Sequence, residues 1–163
     1  MTEFSTADLC DLDEKVQVAQ PVFKIYGKNQ TFFGKIRTVK VFEDNSFIKE
    51  LVNEKVNGDI MVIDGGGSLN CALLGDNLAK IASQNGWSGF VINGCIRDSK
   101  IINNISLGIK ALNTCPKKSK KNNEGVIDTD INFAGITFKK DMYVYSDEDG
   151  LIVSENNLLK INE

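Results

Sequence analysis

The chain of 163 residues is 42% hydrophobic and 25% charged, carries a net charge of -3, and contains four cysteines, two prolines and no histidine. The length suits one domain that buries roughly 70% of its unfolded surface unaided, and the acidic balance argues against broad binding to nucleic acid or acidic lipid. Without imidazole there is no Ser-His-Asp or Cys-His pair, no His-Glu-x-x-His zinc site and no two-His iron triad, which leaves carboxylates, Lys, Arg, backbone amides, a thiol or an oxygen-bound metal.

The first residues, Met1-Thr2-Glu3-Phe4-Ser5-Thr6-Ala7-Asp8, lack the basic and apolar regions of a signal peptide. No apolar run exceeds four residues, so no membrane span is expected, and Cys10, Cys71, Cys95 and Cys115 form no C-x-x-C. The expectation is a cytoplasmic protein with reduced thiols that serve as small buried hydrophobes. Ser5 or Thr6 caps a short helix through Asp11, and Pro21 marks a connection. Within 31–42, Val39 and Val41 alternate with Thr38 and Lys40, which predicts a half-exposed strand. From Asp44 or Asn45 a helix is predicted, with Phe47, Ile48, Leu51 and Val52 as its apolar face and Asn57-Gly58 as its end.

Ile60-Met61-Val62-Ile63 is a short continuous apolar run, as a strand covered on both faces should be. A second helix begins at Gly75-Asp76-Asn77, turns Leu78, Ala79, Ile81 and Ala82 inward and stops at Asn85-Gly86. Gly89-Phe90-Val91-Ile92 is another buried strand, leading to Gly94 and Arg97-Asp98. Further on, Ile131, Phe133, Ile136 and Phe138 alternate around Ala134-Gly135, where a phase shift predicts a bulge or tight bend. Met142–Tyr145 and Leu151–Val153 flank Asp147-Glu148-Asp149-Gly150 and read as a hairpin. Helices and strands alternate first and strands dominate later, so the class is α/β with a mixed sheet, one domain over 1–163.

Three features invite functional readings and carry little. Gly65-Gly66-Gly67 follows a strand, but Asn70 stands where a dinucleotide fingerprint needs its third glycine, and Asn85 and Gly86 stand where the ribose-binding acid belongs. The triplet is a tight turn or one wall of a small-ligand pocket. The Asp147–Gly150 segment fails as a calcium loop, because Tyr145 and Asn156 fall at ligand positions. Lys117-Lys118-Ser119-Lys120-Lys121 is a solvated loop or an attractor for an anionic substrate or acidic partner.

The stretch from Gly75 to Asp98 carries more chemistry. Gly75, Asp76, Asn77 and Leu78 stand at a helix N-terminus, whose amides and dipole favour a carboxylate or phosphate. Arg97 and Asp98 follow the next strand, at the end where open α/β sheets bind ligands. Arg37 and Arg97 are the only arginines among 19 basic residues. Arg97 therefore points to a planar, permanently charged partner for a carboxylate or enolate, with an ordinary surface Arg-Asp pair as the other reading. The Asp98 carboxylate suits a hard divalent cation.

Gly75-Asp76-Asn77-Leu78-Ala79, Asn85-Gly86-Trp87-Ser88-Gly89 and Val91-Ile92-Asn93-Gly94 leading to Arg97-Asp98 resemble the RraA-like family. That family contains 4-hydroxy-4-methyl-2-oxoglutarate aldolases and a regulator of ribonuclease E activity. The likeness continues through Leu9-Cys10-Asp11, Phe42-Glu43-Asp44-Asn45, Val62–Gly67, Leu107–Leu112, Phe133–Phe138 and Asp147–Gly150. It implies a swivelling β/β/α domain and a homotrimer with the site near a subunit boundary. Aldolase members are marked by an Asp, twenty residues and then Arg-Asp, which Asp76, residues 77–96 and Arg97-Asp98 match. Regulator-type members lose parts of that motif. Where aldolase members often carry an acid three residues after the final Asp, this chain has Ile101, which removes a support for the metal's water shell.

What the resemblance implies is a class II aldolase that cleaves 4-hydroxy-4-methyl-2-oxoglutarate to two pyruvates and decarboxylates oxaloacetate through the same pyruvate enolate. No lysine has a recognisable Schiff-base context, which favours a metal. Asp98 is expected to hold Mg²⁺ or Mn²⁺, the amides of residues 75–78 to grip the substrate carboxylate, and Arg97 to brace the keto oxygen. Asp76 is expected to position the water that takes the C4 hydroxyl proton. The alternative is a non-catalytic regulator that binds ribonuclease E, with the basic run as a contact. A third reading is a family member acting on another 2-oxo acid.

Overall fold

Two strands with almost no polar side chains, Ile60–Asp64 and Gly89–Ile96, set the architecture, because such strings are stable only where both faces are covered. The computed structural model describes residues 3–161, so the outermost two positions at each end of the expected 1–163 domain lie outside the described residues. In chain order the first elements are α1 (Thr6–Leu12), β1 (Gln17–Val18), β2 (Lys24–Tyr26), β3 (Phe32–Lys40), α2 (Ser46–Val52) and β4 (Ile60–Asp64). There follow β5 (Ala72–Leu74), α3 (Asp76–Gln84), β6 (Gly89–Ile96), α4 (Ser99–Ile102) and β7 (Gly108–Thr114). The chain ends with β8 (Val126–Ile127), β9 (Ile131–Phe133), β10 (Ile136–Phe138), β11 (Tyr143–Ser146), β12 (Leu151–Ser154) and α5 (Leu158–Ile161).

The strand β3 belongs to two sheet regions. Residues 32–35 pair antiparallel with β11, and residues 36–40 pair parallel with β4. From there β4, β6 and β7 continue in parallel, β2 closes that edge antiparallel, and β11, β12 and β1 extend the other side. The sheet is mixed, as the sequence predicts.

Alternation along the central strands explains the layers. Val39, Met61, Ile63, Phe90 and Ile92 turn to one face and pack with Ile48, Leu51, Ala79 and Ala82 of α2 and α3. Ile36, Ile60, Val62 and Val91 turn to the other face and pack with Phe133, Phe138, Val144 and Val153. Helices, central sheet and a second layer of strands thus form a β/β/α stack. Each fully buried Ile, Val or Phe contributes roughly 1.5–3 kcal/mol, so these two cores dominate the stability.

Ser5 caps α1 by accepting the Asp8 amide at 3.1 Å, as predicted. That helix is held by the buried Asp147, which accepts the Thr6 amide at 2.8 Å and the Thr6 hydroxyl at 2.7 Å. Burial pushes the Asp147 carboxyl up, but hydrogen bonds from Thr6, Asp149 and Gly150 outweigh it and hold it below the usual 3.8.

One expectation is corrected. The helix from Asn45 does not run to Asn57-Gly58; it ends at Val52 with Asn53 as its cap. The amides of Val56 and Gly58 instead bond the carbonyls of Asn85 and Gly86 at 2.9 and 2.8 Å, so the chain leaves the helix to pair with the α3 exit. The phase shift at Ala134-Gly135 is the tight bend among the two forms expected there, a two-residue hairpin turn between β9 and β10 with φ of 51° and 76°. The strand β7 escapes the sequence reading because it carries Lys110 and Asn113 among its apolar residues.

Where β6 and β7 begin, Gly89 and Gly108 leave a slot that the Phe32 ring fills; a Cβ on Gly108 would overlap that ring. Gly108→Ala should therefore destabilise the fold by about 3 kcal/mol through overpacking, read as a lowered midpoint in urea unfolding with an unchanged slope.

Candidate functional site

The site begins with a pairing between two strands. Leu74 of β5 lies opposite Ile96 of β6, and the Arg97 amide donates to the Leu74 carbonyl at 2.9 Å. One residue beyond each strand, the N-terminus of α3 meets the Arg97-Asp98 pair. Gly75 is the N-cap of α3, and a Cβ there would stand 3.0 Å from Asp98 Oδ2 and 3.4 Å from Arg97 Nε. The absence of a side chain at Gly75 is what lets the two functional groups approach the helix end.

Asp98 adopts the left-handed region, φ 58° and ψ 38°, at the N-cap of α4. It makes no side-chain capping bond to that helix. Its Oδ2 turns instead to the Asp76 amide at 3.2 Å. One of the four amides expected to receive the substrate is therefore already engaged by Asp98.

The Asp76 carboxyl faces this same corner and pairs with Lys80 at 3.3 Å, one turn along the helix. Burial pushes its pKa up, but hydrogen bonding with Asp98 and Lys80, the Lys80 charge and the Asn77 amide outweigh it and bring it below 3.8.

The two arginines are used differently. Arg37 is tied down by Glu54 at 2.9 Å and Asp128 at 3.2 Å. The nearest approach of the Arg97 guanidinium to a carboxylate is 4.0 Å, from Nε to Asp98 Oδ2, beyond hydrogen-bond range. The Arg97 fork remains open to a ligand.

All six residues singled out from the sequence, Gly75, Asp76, Asn77, Leu78, Arg97 and Asp98, line one pocket of about 270 Å³. That is at the small end for ligand sites, suited to a small metabolite and too tight for a dinucleotide. Sequence reasoning missed Asn45 and Lys49, which line it from the first turn of α2, and left open the basic run, which supplies Lys118, Ser119 and Lys121. The spacing of Asn45 and Lys49, one helical turn apart, was the available signal.

Asn45 is nine-tenths buried; its amide donates to the Leu73 carbonyl at 3.3 Å, while its Oδ1 has no partner among the described residues. An unpaired buried acceptor at a pocket wall is suited to receive a donor from a ligand. Gly65-Gly66-Gly67 does not reach this pocket; it is a tight turn held by Asp64, which accepts from the Gly66 amide at 2.9 Å and Asn93 at 3.0 Å. A larger cavity of about 690 Å³ near Phe33 and Trp87 contains none of the six residues.

Among the described residues no three His, Cys, Asp or Glu side chains cluster into a ready-made cage. A hard cation that keeps most of its waters needs only one or two carboxylates and the substrate. Asp98 meets that requirement, and Asp76 lines the same pocket. The residues fit Mg²⁺ or Mn²⁺.

Other nucleophiles are poorly placed. Burial pushes the Cys71 and Cys95 thiols up, away from the reactive thiolate. Lys110 is buried and desolvation lowers its pKa, but it lies outside the pocket and donates to the Asp147 carbonyl at 2.8 Å.

Fold and site together describe an α/β protein with a compact, cation-lined pocket for a small anionic metabolite. Residues 6–153 match the RraA-like family, Aldolase/RraA, and the chain belongs to it. A relative from Aromatoleum aromaticum, named "Putative 4-hydroxy-4-methyl-2-oxoglutarate aldolase", is 47% identical over 96% of this chain and 99% of its own. A relative from Dechloromonas aromatica with the same name is 49% identical over 93% of this chain and 96% of its own. Among solved structures, one from Geobacillus kaustophilus, described as an S-adenosylmethionine:2-dimethylmenaquinone methyltransferase, superposes with a TM-score of 0.94 at 44% identity, covering 96% of this chain and 98% of that one. The RNA-processing inhibitor RraA from Thermus thermophilis superposes with a TM-score of 0.92 at 37% identity, covering 95% and 94%.

The left-handed backbone at position 98 generates a prediction. Asn tolerates that conformation, whereas a β-branched residue does not. Asp98→Asn should melt like the parent, and Asp98→Val should lose about 1–2 kcal/mol in thermal or denaturant unfolding.

Proposed function

We propose that this protein is a divalent-metal-dependent lyase that cleaves 4-hydroxy-4-methyl-2-oxoglutarate to two molecules of pyruvate and decarboxylates oxaloacetate through the same enolate. The observation that carries this reading is the convergence of Arg97, Asp98 and the α3 N-terminus in one small pocket. The names of the relatives support the substrate. The charge of the pocket supports it as well. Arg97, Lys49, Lys118 and Lys121 face only Asp76 and Asp98, so a chain that is acidic overall presents a cationic surplus here, matched to a dianionic acid.

Asp98 would hold the cation, with Asp76 beside it, and Mg²⁺ or Mn²⁺ there supplies Lewis-acid stabilisation of the enolate. The substrate's C1 carboxylate lies at the first turn of α3, where the Leu78 amide and the helix dipole favour it. Arg97 directs its unpaired guanidinium N–H groups at the 2-keto oxygen. As the C3–C4 bond breaks, its electron pair moves toward that oxygen, and the fixed positive charge of Arg97 is worth more there than in the ground state.

The C4 hydroxyl loses its proton to a water oriented by Asp76 and becomes the keto group of the second pyruvate. The enolate then takes a proton at C3 to give the first. The Asn45 Oδ1 acceptor can receive the C4 hydroxyl while it still carries its proton. In oxaloacetate the departing group is carbon dioxide, and the same enolate remains.

A trimeric assembly belongs to the same proposal. Phe42 and Leu69 are 62% and 57% exposed, and Ile101, on α4 immediately beyond the pocket, is 46% exposed. These apolar surfaces suit burial against a neighbouring copy. Sedimentation equilibrium should return three times the 18.0 kDa chain mass, and a monomer would contradict it.

A second reading, a non-catalytic partner of ribonuclease E, is favoured by the similarity to the RNA-processing inhibitor. It requires partner binding that needs neither metal nor Arg97 and Asp98.

The lyase reading predicts that Arg97→Ala and Asp98→Ala each lower pyruvate formation by a factor of about 10²–10³ or more, with circular dichroism unchanged. Exhaustive chelation should abolish the activity and added Mg²⁺ or Mn²⁺ restore it. Undiminished turnover in either folded variant would exclude the mechanism, and activity that survives chelation would point to a lysine.

A further inference from the structure

The lysine-bearing wall of the pocket has no secondary structure of its own beyond isolated bridges, so something must hold it in place. Its first anchor is β5: the Ala72 amide donates to the Lys117 carbonyl at 2.8 Å, and Ala72 bridges to Lys118. Its second anchor is the turn before α2. The Lys120 amide donates to the Glu43 carbonyl at 2.8 Å, and the Asn45 amide donates to the Lys120 carbonyl at 3.2 Å.

Between these contacts sits Asp44, whose residue is only 1% exposed. Its Oδ2 accepts the Asn122 amide at 2.6 Å and its Oδ1 accepts the Ser46 amide at 2.9 Å. Lys121 is thus fixed from both sides, through Lys120 on the backbone of 43–45 and through Asn122 on the Asp44 carboxylate. Glu43 adopts φ 54°, a left-handed conformation that is uncommon for a non-glycine residue.

We propose that Asp44 is a positioning residue for substrate binding: by tying residue 122 to the start of α2 it sets where Lys118, Ser119 and Lys121 stand in the pocket. It does not touch the reacting atoms. A buried carboxylate is costly unless fully hydrogen-bonded, and both oxygens of Asp44 are occupied by amides. Burial pushes this carboxyl up, but the bonds from Ser46, Asn122 and Glu124 outweigh it and keep the group below 3.8 and ionised. The inference rests on the lyase reading, because the wall it places is the cationic wall that reading assigns to the acid substrate.

The test uses the full-length enzyme with Mg²⁺ and oxaloacetate, after the parent has shown saturable pyruvate release. Asp44→Ala should raise KM about 10-fold while kcat stays within about threefold, and Asp44→Asn, which keeps one acceptor, should fall between it and the parent. Lys121→Met should show a similar rise in KM, and the double variant Asp44→Ala/Lys121→Met should be no worse than the poorer single one, as residues acting through one contact require. An unchanged KM in a folded Asp44→Ala, or fully additive effects, would overturn the proposal. Hydrogen exchange on the parent gives a reading that needs no variant. The Asn122 amide, on an exposed residue, should be protected well beyond the Lys121 amide, which makes no hydrogen bond among the described residues, and equal exchange of the two would overturn the proposal. A parent with no turnover would instead remove the lyase reading and leave the exchange result standing on its own.

Discussion

The pairing of β5 with β6 is the constraint from which the candidate site follows. Leu74 and Ile96 are opposed, and the bond from the Arg97 amide to the Leu74 carbonyl extends that register by one residue. A helix N-terminus and an Arg-Asp pair, twenty residues apart in the chain, are thereby brought to one corner. Gly75 keeps the corner open, and the left-handed backbone at Asp98 swings its carboxylate away from α4 and toward α3. The Asp98 carboxylate in that corner is oriented by main-chain geometry, through its own left-handed backbone and the Asp76 amide.

The absence of histidine fixes which groups are left to act in this pocket. In the proposed mechanism Arg97 and a divalent ion held by Asp98 take the roles that imidazole fills elsewhere, and the remaining polar walls supply binding charge. The buried thiols and Lys110 lie outside this arrangement and serve the fold.

Much of this was legible in the chain, for physical reasons. The apolar run at 60–63 and the helical face of 78, 79, 81 and 82 reflect local periodicity, which burial enforces. The Asp76-to-Arg97-Asp98 spacing is legible because one helix and one strand separate its parts. The basic run was legible as an attractor for an anionic substrate, but its place on the far wall of this pocket was not. Residues 118–121 reach the pocket through hydrogen bonds to 43–45 and to Ala72, pairings more than 40 residues distant in sequence that leave no periodic trace. The premature end of α2 has the same origin, since Val56 and Gly58 are claimed by carbonyls of the α3 exit. Related proteins of this fold carry names as different as an aldolase, a methyltransferase and an RNA-processing inhibitor, so the fold does not choose among activities.

The most direct measurement is coupled detection of pyruvate released by the purified protein from 4-hydroxy-4-methyl-2-oxoglutarate and from oxaloacetate, with and without Mg²⁺. The account predicts saturable, Mg²⁺-dependent turnover, with two pyruvates per molecule of the methyl-oxoglutarate and one from oxaloacetate. No release above the uncatalysed rate from either acid, in protein shown to bind Mg²⁺, would contradict it.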